Sequence, residues 1–153
     1  MTSNLYETLL PLAVLLAFCT PAVPGEGEPA KFHVQLIYAT NSEKPPAKDW
    51  KKVGPKLRKE LSPVFQWKEF WQVSRTEVAV PEGKGTKTRL TENRELEIQF
   101  QNDGRLQLIM YRDGQPVRKM KNVSATGRVI MGGDSTNDDA WFAVVRRDKP
   151  STD

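Results

Sequence analysis

Glu95-Leu96-Glu97-Ile98-Gln99-Phe100 and Arg105-Leu106-Gln107-Leu108-Ile109-Met110, joined through Gln101-Asn102-Asp103-Gly104, decide the fold. In both arms an apolar residue returns at every second position, the spacing that lines one face of a β-strand. The turn determines which faces meet. A two-residue loop would set Phe100 opposite Gln107 and mix apolar with polar. A three-residue loop with Gly104 in the left-handed region sets Phe100 against Leu106, Ile98 against Leu108 and Leu96 against Met110. The second arrangement keeps one face wholly apolar, so the pattern predicts it, and with it an antiparallel sheet packed on one side.

Upstream, Phe32, Val34, Leu36 and Tyr38 alternate with His33 and Gln35, which predicts a strand from Lys31 to Thr40. Pro45-Pro46 marks a loop. Trp50, Val53, Leu57 and Leu61 then recur at helical spacing on a Lys/Arg/Glu-rich surface, with Asp49 placed to cap the helix and Gly54-Pro55 to divide it. After Pro63 an aromatic strand runs from Val64 to Val80. Its phase breaks: Trp67, Trp71 and Val73 share one parity, Phe70, Thr76, Val78 and Val80 the other. Either both faces are buried or a bulge near Ser74 shifts the phase. Pro81 to Gly85 forms a turn and Lys87 to Glu92 a short polar strand.

Downstream, Asp113-Gly114 is a turn, and Arg118-Lys119-Met120-Lys121 is too basic for a central strand and reads as an edge. Arg128–Met131 and Trp141–Val145 supply the last strands, the latter apolar on both parities and therefore central. The expected fold is α+β and mainly antiparallel β. It is a sandwich or open barrel of about seven to eight strands, with one helical insertion at about 49–62.

At 153 residues the chain is sized for one domain, and 38% hydrophobic with 27% charged residues excludes a disordered polymer. Residues 1–25 read as a signal peptide: Leu9 to Phe18 is an apolar core of ten residues, too short to cross a bilayer, followed by small and turn-forming residues. Glu7 in place of an N-terminal positive charge departs from that anatomy. Cleavage after Cys19 or after Gly25 fits, and Leu16-Ala17-Phe18-Cys19 resembles a lipobox that would lipidate Cys19 and hold the protein on a membrane surface. Residues 26–30 form a linker, 31–149 a single β-rich domain and 150–153 a tail. All 23 basic residues but only 16 of the 19 acidic ones lie beyond residue 30, so the net charge of +4 becomes +7 for residues 31–153. That balance draws a protein toward acidic glycan, lipid or nucleic acid.

Cys19 is the sole cysteine, which removes disulfides and thiol chemistry from the mature domain. His33 stands alone in mid-strand, so neither a nucleophile–base pair nor a His/Cys zinc site can be assembled. Gly83-Lys84-Gly85-Thr86 lacks phosphate-loop spacing and precedes a strand. Gly132-Gly133-Asp134-Ser135-Thr136-Asn137-Asp138-Asp139 offers hard oxygen ligands of the kind calcium takes, in an order that also makes an ordinary turn. No cofactor and no metal site is expected. Trp67, Phe70 and Trp71 beside Lys68 are candidate stacking residues as well as core residues.

Pro55-Lys56-Leu57-Arg58, the aromatic strand, and Gly132-Gly133 followed by Ala140-Trp141-Phe142-Ala143-Val144-Val145 together resemble small exported bacterial proteins of unassigned function. The resemblance implies export and a β-rich fold, and carries over no active site. The expectation is a non-enzymatic envelope or periplasmic domain, without a transmembrane helix in its mature chain, that acts through protein–protein contacts. The alternative is a weak binder of acidic glycan, lipid or nucleic acid through the basic edge. Candidate binding residues are Trp67, Phe70, Trp71, Arg118, Lys119 and Lys121. Clustering of basic side chains on one face would favour the alternative.

Overall fold

The computed structural model describes residues 27–147; the signal-peptide reading, Cys19 and the tail lie outside the described residues. Nine strands and one helix follow in order: β1 (Ala30–Thr40), β2 (Lys51–Lys52), α1 (Pro55–Leu61), β3 (Glu69–Val80), β4 (Gly85–Arg89), β5 (Arg94–Phe100), β6 (Arg105–Arg112), β7 (Gln115–Ser124), β8 (Arg128–Ser135) and β9 (Asp139–Arg146). Two open antiparallel sheets result, one in the order β2-β3-β1-β9-β8 and the other β4-β5-β6-β7. The inner face of β1, at Phe32, Val34 and Leu36, meets Leu96, Ile98 and Phe100 of β5 and Leu106, Leu108 and Met110 of β6 in the core between the sheets. This is the mainly antiparallel sandwich expected, with the two-residue β2 as the strand beyond the seven or eight counted.

The hairpin register is the expected one: Phe100 pairs with Leu106, Ile98 with Leu108 and Leu96 with Met110. Gln101 N donates to Arg105 O and Gly104 N to Gln101 O, which closes a three-residue loop with Gly104 at φ +77°. β3 carries its bulge where the parity breaks. Leu36 pairs with Ser74 but Ile37 with Gln72, so Val73 is the extra residue and the faces exchange there. Both faces of β3 are also buried before the bulge, at Phe70 and Trp71. Among the described residues β7 pairs with β6 alone and is the edge expected.

The expectation at residues 49–62 needs correcting in its first half. Asp49 caps nothing. Lys51 and Lys52 pair with Gln72 and Trp71 as an edge strand, and the helix begins only at Pro55. Gly54 is extended, at φ −61° and ψ 156°, because a residue before proline is disfavoured in the helical region. Trp50 stacks edge-on to Tyr38 and Trp141 at 5.3 and 5.8 Å, and Val53 N donates to Phe70 O. Sheet and aromatic contacts thus hold residues 50–53 in place of a helical turn. The strand expected from Val64 begins instead at Glu69. Val64 N and Phe65 N still donate to Leu61 O, prolonging the end of the helix, and Val64 is 71% exposed. The short polar strand lies two residues earlier than expected, at Gly85–Arg89.

Helix α1 lies on the outer face of the five-stranded sheet. Leu57 and Leu61, with Val53 and Trp67, cover Ile37, Ala39, Phe70, Ala140, Phe142 and Val144. Burial on both faces explains the continuous apolar run of β9. Seven residues span only about 10 Å, however, at 1.5 Å per residue. The helix therefore covers one end of that face and leaves the other end bare.

Candidate functional site

The outward-facing residues of the central strand β1 change character along its length. Ile37 and Ala39 sit under the helix, whereas Gln35 and His33 lie beyond its first turn. Register fills the uncovered end with cations. Arg75 of β3 pairs with Gln35, Arg146 of β9 pairs with His33, and Arg128 of β8 pairs with Arg146. Lys51 and Lys52 of β2 and Lys56 of α1 approach from the helix side. These six basic residues, with Gln35, Gln72, Gly54 and Leu57, line a cleft of about 330 Å³, and among the described residues no carboxylate lines it. Acidic partners stand outside the lining: Glu69 at 3.1 Å from Lys52 Nζ, and Glu60 against Arg128.

Gln35 is only 7% exposed and must therefore be hydrogen-bonded. Its Oε1 accepts from Arg146 Nη2 at 3.4 Å, and its Nε2 donates to Gln72 Oε1 at 2.7 Å. Because a guanidinium can only donate, Arg146 sets the orientation of the first amide and, through it, the second. Gln72 itself lines the cleft. What the cleft offers is hydrogen-bond donors and positive charge.

The candidate binding residues named from sequence divide into two groups. Trp67, Phe70 and Trp71 are buried, the first two in the apolar layer under α1 and the third beneath Lys52 Nζ at 5.4 Å from its ring. Their main work is to fill the core. Arg118, Lys119 and Lys121 are exposed along edge strand β7. Trp67 and Arg118 do come together, with Phe65, Trp141 and Phe142, around a smaller hollow of about 190 Å³. The six cations of the larger cleft went unnoticed because they come from five segments of sequence. Polar Gln35 on a strand buried elsewhere was the available signal.

Two further clusters are structural. Asp134, in the stretch read as a possible calcium loop, is gripped by Arg94 through both oxygens, at 2.5 and 3.0 Å, and by Arg112 Nη1 at 2.9 Å. Arg94, 3% exposed, also stacks 4.0 Å from the Trp141 ring centre. Burial raises the Asp134 carboxyl, but the hydrogen bonds and charge of Arg94 outweigh it and leave the group below its ordinary value. Asp139 accepts from the Tyr38 hydroxyl at 2.9 Å, and burial together with that bond pushes Tyr38 up to about 12. Asp134 and Asp139 thus have separate partners, and among the described residues no group of three or more His, Cys, Asp or Glu is arranged to hold a metal ion. His33 Nδ1, on the central strand β1, lies 3.7 Å from Glu77 Oε2. Among the described residues no helix is long and apolar enough to cross a membrane. Comparison of the chain with protein-family models, curated proteins and solved structures finds no match.

Proposed function

We propose that the chain is a non-enzymatic, exported binding domain whose ligand is a polyanion held in the cleft at the N-terminal end of α1. One observation carries the reading: six basic residues, drawn from β2, α1, β3, β8 and β9, converge on a single concavity with no carboxylate in its lining among the described residues. A surface selected only for solubility intersperses the two signs of charge. The leader anatomy of the sequence supports action outside the cytoplasm. The absence of any nucleophile–base pair at the cleft supports binding rather than turnover.

Heparin is a suitable probe, titrated over a range of salt. Each neutralised cation contributes a counterion-release term of about 0.7 to 0.9 to the slope, so engagement of the whole cleft gives a log–log slope of about −4 to −5. The β7 edge alone, with Arg118, Lys119 and Lys121, would give about −2 to −3. Arg75→Glu with Lys51→Glu should abolish binding, and Lys119→Glu with Lys121→Glu should leave it nearly intact. The reverse pattern would overturn the assignment to the cleft. The second reading, contact with an envelope protein, draws support from β7, a ten-residue strand whose outer edge has no partner strand among the described residues.

A further inference from the structure

We infer that the cleft takes clustered tetrahedral oxyanions, the phosphate or sulfate ester groups of a ligand, in preference to carboxylates, and that Gln72 is the residue that distinguishes them. The inference rests on the polyanion reading and sharpens it. Positive charge alone attracts any anion. Discrimination comes from where the donors stand.

Gln35 and Gln72 sit in the floor of the cleft, and their amides cannot turn freely. Arg146 Nη2 donates to Gln35 Oε1, so Gln35 Nε2 must face Gln72, and Gln72 Oε1 is occupied in accepting it. Each amide oxygen thereby already accepts one hydrogen bond and has a single lone pair left for a ligand. An uncharged hydroxyl-rich molecule would find few acceptors in the floor for its own protons. A fully ionised oxyanion needs none.

The geometry separates one oxyanion from another. A carboxylate has two oxygens in one plane and is satisfied by a single guanidinium fork. A phosphate or sulfate ester presents three terminal oxygens in different directions and gains from donors that surround it. Here the donors ring the cleft: Arg75 stands on one side of Gln35 in register, Arg146 and Arg128 lie on the β9–β8 side, and Lys51 enters across from Gln72. Gln72 lines the cleft with its Oε1 engaged by Gln35, so its Nε2 is the donor the side chain would offer a ligand. With about 330 Å³ available, more than one such group fits.

Titration calorimetry with the full chain tests this with three probes: inorganic tripolyphosphate, sucrose octasulfate and citrate. Tripolyphosphate and the octasulfate carry more charge than citrate and should bind at least about tenfold tighter, for that and for the donor geometry together. Gln72→Met, which keeps the bulk and the cleft's charge and removes the donor, should shrink that preference by about fivefold to tenfold, the part owed to geometry. Gln72→Glu should weaken all three and the tetrahedral anions most. Equal affinity for citrate in the wild type, or an unchanged preference in Gln72→Met at an unchanged melting temperature, overturns the inference. Should Arg75→Glu abolish all three while the preference is absent, the polyanion reading stands and only its sharpening falls. If no probe binds, both fall.

Discussion

Asp134→Asn tests whether one ion pair holds the two sheets together at their end. Arg94 on β5 belongs to one sheet and Asp134 on β8 to the other, so their bidentate contact crosses the sandwich. Arg94 is 3% exposed. With the carboxylate removed, its guanidinium would stay buried with the Trp141 face and a neutral amide for company. Stranding a buried charge costs about 3–5 kcal/mol. The Asp134 side chain is a quarter exposed and Arg112 about half, so water relieves part of the penalty, and about 2–3 kcal/mol is expected. For a domain of this size that corresponds to a drop of roughly 10 °C in the melting temperature. Arg94→Met should cost a comparable amount, but adding it to Asp134→Asn should cost little more, since the stranded charge is gone. Urea unfolding of the two single variants and the double variant measures the coupling. Additive losses would refute the clamp. The pH dependence has a definite sign. The folded-state pKa of Asp134 is depressed, so its stabilisation is present above the unfolded value of about 3.9 and lost as pH falls below it. Asp134→Asn should flatten that acid limb.

Gly104→Val should destabilise by about 1 kcal/mol or more in thermal unfolding. The residue sits at φ +77° with open space around it, so the loss is pure backbone strain, and Gly104→Asn should be nearly neutral. Absorbance titration at alkaline pH should find Tyr38 still neutral after ordinary tyrosines have ionised. Because its folded pKa is raised to about 12, the stabilisation is full below about pH 10 and is lost as pH rises through the folded value; Asp139→Asn should bring the transition down. Tripolyphosphate at a hundred times its dissociation constant should raise the unfolding free energy by about 2.7 kcal/mol, and the rise should vanish in Arg75→Glu. Cell fractionation with N-terminal sequencing should recover a processed chain outside the cytoplasm; an uncleaved cytoplasmic chain would sink the export reading.

The sandwich was legible where a strand keeps its period locally. The β5–β6 register follows from six apolar residues and one glycine, because only one loop length keeps their faces together. The β3 bulge follows from a parity break within a single strand. The first half of the supposed helix misled because Trp50 and Val53 fall at helical spacing by coincidence. Each is buried or half-buried through contacts with Tyr38, Trp141 and Phe70, which are distant in sequence. Arg94 could have been flagged. It shares parity with Leu96 and Ile98, so alternation alone turns it inward, and a buried arginine requires an acid. The acid's identity, Asp134, was not available locally. Gly133 had a packing reason that spacing could not disclose: a Cβ there would meet Met110 Sδ at 2.5 Å and the Trp141 carbonyl at 3.1 Å.

The cleft was illegible for a different reason, and the same reason supports its function. No two of its cations are closer in sequence than a strand apart, except the pair Lys51–Lys52 and its neighbour Lys56. They meet only because a five-stranded sheet aligns them beside a helix too short to cover the sheet. Two like charges about 8 Å apart repel by about 0.5 kcal/mol even at the dielectric of water, and by more where protein walls exclude it. Apolar residues could have continued the layer that α1 covers, and a longer helix could have closed it. The chain instead sets charge against charge over a polar floor, with Gln35 buried and its amide fixed by Arg146. Glu69 and Glu60 offset part of that charge from outside the lining, at Lys52 and Arg128, and an anion in the cleft would offset more. On the polyanion reading, stability and occupancy are coupled at this cleft, and Lys51→Met, which breaks neither of those ion pairs, should leave the empty fold at least as stable while it weakens the grip on ligand.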